Sequence, residues 1–356
     1  MHWYLFPFSF LYGGIVSIRN NFFDRGWIKS TKFGLPVIGI GNITVGGTGK
    51  TPHIEYLLGI LKNYDTCTIS RGYKRKTKGF FEVNTNSKVD DVGDEPLQIK
   101  QKFSNTVVVV DEKRVHAINK ILGSNKIPDV ILLDDAYQHR HVTPGLNILL
   151  IDYNKPITKD HMMPVGRLRE PARNKHRANI VIITKCPVNM VPIDFRIMQK
   201  ELNLFPYQRL FYTTLKYNGL IPVFKTQKPI IKSIDELKNF DVLIVTGIAN
   251  PKPLYDKLEG VGAKITKLAF PDHHEFKPAD TNKIVNSYLA INQKQKVIVC
   301  TEKDAVKLKA DSISRKLLKL PIYSLPIEVT FLNNGEPVFK EVVEKYIAES
   351  HMKNPM

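Results

Sequence analysis

Short runs of β-branched and leucine-rich residues recur along the chain, at Pro36 to Ile40, Thr66 to Ser70, Thr106 to Val110, Val130 to Leu133, Leu146 to Ile151 and Ile180 to Thr184. Runs this short and this uniformly apolar mark strands buried on both faces of a parallel sheet. Between them apolar residues return at helical spacing, over His53 to Leu61 and in "EKRVHAINKIL", residues 112–122, which predicts intervening helices. Strand and helix in alternation predict a doubly wound α/β domain with its ligand at the carboxyl ends of the strands. The pattern gives way to a polar, irregular stretch from Pro187 to about Lys228. It resumes in "FDVLIVTGIANP" (240–251), "KITKLAF" (264–270), "QKVIVCTEKDAVKL" (295–308) and "PIYSLPIEVTF" (321–331), which predicts a second, smaller α/β domain. The implied division is 31–215 for the first domain, 216–335 for the second and 336–356 for a C-terminal helix and tail. There is no internal repeat and no long low-complexity segment.

The first 18 residues, "MHWYLFPFSFLYGGIVSI", carry no charged side chain and are rich in Trp, Tyr, Phe and Leu. Pro7, Gly13 and Gly14 interrupt them, which makes the segment marginal as a spanning helix of ~20 apolar residues. It also lacks the basic leader of a secretory signal. Arg19, Arg25, Lys29 and Lys32 follow at once. An aromatic segment backed by cations suits the interface of an anionic membrane, where each cation contributes ~1 kcal/mol. The alternative is a helix that covers the core of the first domain. Residues 1–30 are therefore set apart as an N-terminal membrane-associated segment.

Composition narrows the partners. The 356 residues, 43% of them hydrophobic, provide core material for about two domains at ~150 residues each. Lys and Arg number 52 against 34 Asp and Glu, a formal net charge of +18 that points to anionic partners: nucleotides, nucleic acid or an acidic membrane surface. The basic residues are dispersed and no base-reading module is recognised, so nucleic acid is not an expected partner. The three cysteines, Cys67, Cys186 and Cys300, are far apart with no C-x-x-C pair and read as reduced core thiols of a cytosolic protein.

The most specific local signal is "GNITVGGTGKTP", residues 41–52, between the strand ending at Ile40 and the helix from His53. Glycines let successive backbone N–H groups curl around a phosphate, and a helix N-terminus adds positive charge. The candidate nucleotide-binding residues are Thr44, Val45, Gly46, Gly47, Thr48, Gly49, Lys50 and Thr51. Lys50 would reach the β- and γ-phosphates and Thr51 would offer its hydroxyl to Mg²⁺. Thr44 stands where the pattern G-x-x-x-x-G-K-[ST] has its first glycine.

The second signal is "VILLDDAYQHRH", residues 130–141, an apolar strand ending in Asp134 and Asp135. A phosphate-loop enzyme needs such a carboxylate at a strand tip to hold Mg²⁺ directly or through water. In "VGDEP" (92–96), Asp94 or Glu95 could orient an attacking hydroxyl or accept its proton. In "GRLREPARNKHR" (166–177), Arg167, Arg169, Arg173, Lys175 and Arg177 could grip phosphate, and Glu170 could help the metal, unless the run is a solvated basic loop. "TEKD" reads as a capping box from Thr301 to Asp304, with Lys303 as a weaker phosphate candidate. His139, His141, His273 and His274 have no accompanying cysteine, which argues against a zinc site.

These residues resemble the tetraacyldisaccharide 4'-kinase family of lipid A biosynthesis. The resemblance rests on "GNITVGGTGKTP", "SRGYKRK" (70–76), "VGDEP", "LLDDAYQHR" (132–140), "VGRLREP" (165–171), "FPDHHEF" (270–276) and "TEKDAVKL" (301–308), in the family's order over nearly the whole chain. The family has Gly-Phe after the paired aspartates where this chain has Ala136 and Tyr137, which puts the local turn in question. The resemblance implies a P-loop NTPase-like kinase that moves the γ-phosphoryl of ATP, with Mg²⁺, to the 4'-hydroxyl of a tetraacyl disaccharide 1-phosphate. It implies a monomer at the cytoplasmic face of the inner membrane, bound to an anionic surface. It also implies Asp94 as the catalytic carboxylate paired with His273, with Lys50, Asp135 and His139 in the catalytic set. Thr51, Asp134 and Glu170 fall on the metal side, and Arg71, Arg167 and Arg169 on the substrate's phosphate. The rival is a membrane-associated partitioning or sorting ATPase, whose loop has a second lysine where this chain has Val45.

Overall fold

A computed structural model describes residues 3–224, 231 and 233–353. Residues 1–2 of the N-terminal segment, 225–228 of the stretch expected to be irregular and 354–356 of the tail lie outside the described residues. The first half of the chain forms α1 (Phe6–Asp24), β1 (Val37–Gly41), α2 (Lys50–Ile60), β2 (Thr66–Ser70), β3 (Phe81–Glu82), α3 (Val89–Val92) and α4 (Asp94–Lys102). There follow β4 (Val107–Val110), α5 (Arg114–Leu122), β5 (Val130–Asp134), β6 (Leu146–Asp152), β7 (Ile180–Thr184), α6 (Pro192–Leu202) and β8 (Arg209–Tyr217). The second half contributes β9 (Ile221–Pro222), β10 (Asp241–Thr246), α7 (Lys252–Gly260), β11 (Lys264–Ala269), α8 (Pro278–Leu289), β12 (Lys296–Thr301), α9 (Glu302–Leu308), α10 (Asp311–Leu317) and β13 (Ile322–Leu325), then β14 (Ile327–Phe331) and α11 (Gly335–Lys353).

Two sheets result. The larger has nine strands in the order β14-β8-β7-β6-β1-β5-β2-β4-β3, and the smaller has five in the order β11-β10-β12-β13-β9. In the larger sheet β1, β2, β5 and β7 are buried at every position, and β6 at all but Asn147, because helices cover both faces. On one face Ile54, Leu57, Leu97, Phe339, Val343 and Ile347 of α2, α4 and α11 pack against Ile38, Ile40, Leu132 and Ile148. On the other, Ala117, Ile118 and Ile121 of α5 pack against Ile69, Val109 and Ile131. The three cysteines are buried and free.

The stretch after Pro187 is not irregular as the sequence reading had it. Asp194 accepts the Val191 N–H at 3.0 Å and starts α6 at Pro192, and β8 pairs in parallel with β7. The strand expected at the end of the smaller domain is divided too. A single residue, Pro326, separates β13 of the small sheet from β14, which pairs antiparallel with β8 at the edge of the large one. The C-terminal α11 then returns to the first domain, where the Tyr346 hydroxyl accepts from the Val37 N–H at 3.0 Å and donates to the Val37 carbonyl at 3.1 Å.

No helix among the described residues is long and apolar enough to cross a membrane. Helix α1 is amphipathic in the reverse of the usual sense. Ser9, Tyr12 and Asn20 face the protein and bond the Met162 carbonyl, the Arg169 carbonyl and Glu170 at 2.7, 3.1 and 3.0 Å. Phe8, Leu11, Ile15, Ile18 and Phe22, spaced three and four apart, form a stripe that faces outward with Trp3 and Phe10. Phe23 is the one aromatic side chain of α1 that is buried, so the helix does not serve as a cover for the core.

Candidate active site

The phosphate loop joins β1 to α2. Gly49 caps α2 at φ +89°, a conformation that favours glycine. Beneath it the buried His53 donates from Nδ1 to the Gly49 carbonyl at 2.7 Å and accepts from the Thr213 hydroxyl at Nε2, 3.0 Å away. Burial lowers the pKa of His53 to about 4, so the ring is a neutral prop. Asn42 donates to the Thr48 hydroxyl at 2.9 Å, the Thr184 hydroxyl to the Thr48 carbonyl at 2.8 Å, and Lys185 to the Gly47 carbonyl. Thr44 replaces a glycine at no conformational cost, because it lies in an antiparallel bridge with Leu168 and its φ is not positive.

The pairing of β1 with β5 sets Ile40 opposite Asp134, which brings the two acids beside the start of the loop. Asp135 has φ +47° and is gripped at both oxygens by Arg169, at 2.9 and 3.1 Å, while Lys50 lies 3.6 Å away. Burial opposes ionisation of Asp135, but Arg169 and Lys50 outweigh it and hold the carboxyl well below its usual range. Asp134 is the reverse. Burial, followed by the charge of Glu95, pushes its pKa up, and its Oδ1 is a buried oxygen with no hydrogen-bond partner. Arg114 fixes the strand tip by donating to the Asp134 carbonyl at 3.2 Å. Near these groups His139 has its pKa lowered to about 4 by burial and then by the charge of Arg114.

Asp94 opens α4 directly after Gly93, whose φ of +91° turns the chain in; a Cβ at Gly93 would lie 3.3 Å from the Tyr73 carbonyl. Its Oδ1 accepts the Glu95 N–H at 3.0 Å and its Oδ2 lies 3.2 Å from Nδ1 of His273. Burial would favour the neutral acid, but the His273 bond and the charges of Lys303 and Lys307 prevail and keep Asp94 well below the usual carboxylate range. His273, at φ +55°, is held by its N–H on the Gly247 carbonyl at 3.1 Å and faces the Tyr73 ring at 4.9 Å. Glu95 joins the two halves of the site: it pairs with Lys303 at 3.1 Å, and its charge bears on Asp134.

Other candidates sit elsewhere. Both oxygens of the buried Glu170 are taken, by Gln138 at 2.8 Å and by Asn20, Asn174 and Arg177 at 3.0, 2.7 and 2.5 Å. This ties α1 to the body of the protein through Asn20. Glu170→Ala should therefore cost roughly 3–5 kcal/mol of stability in denaturant titration, because Arg177 and the three amides lose their acceptor; a change in Mg²⁺ requirement with unaltered stability would instead point to the metal. Arg169 is committed to Asp135 and Asn42. Arg167 pairs with Asp160 at 2.9 Å and lines a small cavity beside Thr44 to Thr48. The Arg71 guanidinium is exposed, makes no hydrogen bond or ion pair with a described residue, and bears on His139 and Arg114. The four histidines do not converge, and no group of three or more His, Cys, Asp or Glu among the described residues could hold a metal.

The family model for tetraacyldisaccharide-1-P 4'-kinase matches residues 1–348. The chain belongs to the tetraacyldisaccharide-1-P 4'-kinase family. It is 45% identical over 351 residues to the tetraacyldisaccharide 4'-kinase of Phocaeicola vulgatus, spanning 98% of this chain and 95% of that one. To the protein of the same name from Bacteroides thetaiotaomicron it is 44% identical over 359 residues, with 98% and 94% covered. The LpxK of Aquifex aeolicus, solved in complex with ATP, superposes with a TM-score of 0.75 at 28% identity over 96% of this chain and 98% of that one. Membership of this family sets aside the partitioning ATPase. The family's glycine after the paired aspartates is dispensable here, since Ala136 does not have positive φ and the turn is taken by Asp135. Tyr137 keeps the aromatic and gains a hydrogen bond from its hydroxyl to the Asn174 carbonyl at 2.7 Å. Sequence reasoning passed over Lys307 altogether and ranked Lys303 low, although their spacing of four on one helix was a signal that both face the same partner.

Proposed function

We propose that the protein is an ATP-dependent kinase acting on the 4'-hydroxyl of a tetraacyl disaccharide 1-phosphate, the reaction its relatives are named for. The observation that carries this reading is the Asp94–His273 pair, whose neighbour Glu95 is held by Lys303 and bears on Asp134 at the strand tip beside the phosphate loop. The loop amides and Lys50 bind and charge-neutralise the β- and γ-phosphates. Thr51 and Asp134 would hold Mg²⁺, whose preference for one or two carboxylates alongside phosphates fits a buried strand-tip acid with an unpartnered oxygen. When bound, the ion neutralises charge on the transferred group. Asp94 receives the acceptor hydroxyl's hydrogen bond and takes its proton as the oxygen bonds phosphorus and ADP leaves. A weak base suffices where the transition state is loose and the proton leaves late. His273 donates to Asp94 and orients it; Asp135 and the neutral His139 are the next candidates for the base. Arg71 and Arg167 are the candidates for the substrate's phosphate.

The outward stripe of α1, with Arg19, Arg25, Lys29 and Lys32 after it, supports docking on an anionic membrane, which for a kinase that draws on ATP is the cytoplasmic face of the inner membrane. Both parts are tested by following transfer of label from γ-³²P-ATP to the disaccharide in anionic vesicles. Wild-type protein should label the lipid only with Mg²⁺ present; absence of labelling sinks the kinase reading. The variant Phe8→Glu/Leu11→Glu/Ile15→Glu should leave the vesicles and show a KM for lipid raised by at least about tenfold with that for ATP unchanged. Continued sedimentation with vesicles would put the anchor elsewhere.

A further inference from the structure

Helix α9 belongs to the smaller domain, yet two of its side chains end at the acid that opens α4 of the larger one. Lys303 and Lys307 are one helical turn apart and face the same way. Nζ of Lys307 lies 3.3 Å from Oδ2 of Asp94, within ion-pair distance but not aligned as a hydrogen bond, and Nζ of Lys303 lies 3.7 Å from the same oxygen. Lys307 is 6% exposed, and its other carboxylate neighbour is Asp304 at 3.9 Å. Lys303 also reaches Oε1 of Glu95 at 3.1 Å and Nε2 of His273 at 3.3 Å. An ammonium can only donate, so Nε2 of His273 is the acceptor and the ring proton sits on Nδ1, directed at Asp94. The same helix supports His273 from behind: Asp304 accepts the Gly247 N–H at 3.0 Å, and the Gly247 carbonyl accepts the His273 N–H at 3.1 Å. Burying two lysines against one carboxylate is a costly arrangement that brings little net stability but fixes geometry.

We propose that Lys303 and Lys307 are positioning residues of the transfer step: they hold Asp94 as a carboxylate and His273 with its proton on Nδ1, so that the acceptor side of the site is assembled only when α9 lies against α4. The inference rests on Asp94 being the group that receives the acceptor hydroxyl. The charged and titratable groups around Asp94 are Glu95 on its own helix, His273 with Asp272 3.9 Å from its Nε2, Lys303, Lys307 and Asp304 from α9, and Tyr73 against His273. With the two ammonium groups gone, the His273 bond alone would oppose burial and the Asp94 pKa would rise. A protonated Asp94 cannot take the hydroxyl's proton, so the rate should fall as pH drops through the raised pKa and recover as pH rises above it.

The test uses full-length Lys303→Met, Lys307→Met and the double variant, with ATP, Mg²⁺ and the disaccharide, from about pH 5 to about pH 8.5. Relative to wild type, each single variant should gain an acid limb in kcat and lose about tenfold at the low end of the range, the double variant more, with KM for ATP within about twofold. Lys307→Arg should return the limb to its wild-type position. A loss that is uniform across pH, or an unmoved limb, overturns the proposal. Should Lys307→Met fail to fold, Lys303→Met and Lys303→Gln carry the same test at the less buried position. Asp94→Asn separates the two readings. If it keeps wild-type kcat, the role of Asp94 is wrong; if it is impaired while the lysine variants keep the wild-type profile, the lysine assignment alone fails.

Discussion

Lys50→Ala should reduce turnover at saturating ATP by roughly 10²- to 10³-fold or more, with the fold intact. The loop's backbone survives the change, because it is held by Asn42, His53, Thr184 and Lys185 rather than by Lys50. Asp135 survives it too, since Arg169 still grips both of its oxygens. What is lost is the charge facing the phosphates. Circular dichroism and thermal unfolding should match wild type within about 1 kcal/mol, and a residual rate above about a tenth of wild type would count against the phosphate-loop assignment.

Asp94→Asn should lower kcat by roughly 10²- to 10⁴-fold with little change in ATP affinity, because the amide keeps the shape but cannot take the proton. His273→Ala should be strongly impaired as well. Its Nδ1–H is the neutral donor that orients Asp94 beside two lysines, so the double variant should be little worse than the poorer single one. Fully multiplicative losses would show that the two side chains act independently. A loss of ATP affinity as large as the loss of rate would move Asp94 to the metal side and turn the search for the base to Asp135 or His139.

Much of this site could be read in the chain because its chemistry is local. The loop lysine and threonine, the paired acids at a strand tip and the acid after Gly93 each sit in a short motif whose backbone requirement is written beside it. What could not be read depends on distant partners. The tie of Glu170 to α1 carries no mark in "GRLREP", because its partner Asn20 is about 150 residues away. Lys303 and Lys307 were hidden because Thr301 and Asp304 already gave "TEKD" a sufficient local reading, and only the packing of α9 on α4 brings the lysines to Asp94. The elements show the same division. Buried strands were legible as apolar runs. β8 was not, since its ends are exposed, and its sequence "RLFYTTLKY" mixes charged and apolar positions in a polar neighbourhood. The passage from β13 to β14 has Pro326 as its one local mark, and nothing beside it tells that the two strands pair with different sheets.

That passage also defines how the smaller domain is tethered. The chain leaves the large sheet after Tyr217 and re-enters it at Ile327, and these two residues are direct partners in the β8–β14 ladder, with the Asn218 N–H on the Pro326 carbonyl at 3.0 Å. The smaller domain is thus a flap carried on a two-stranded ribbon. Such a ribbon bends readily across its flat face but resists shear in its own plane, since sliding one strand past the other breaks the ladder. A swing of the smaller domain about this ribbon would carry the ends of α9 and the His273 loop toward or away from Asp94, whereas a sideways slide would have to break the ladder.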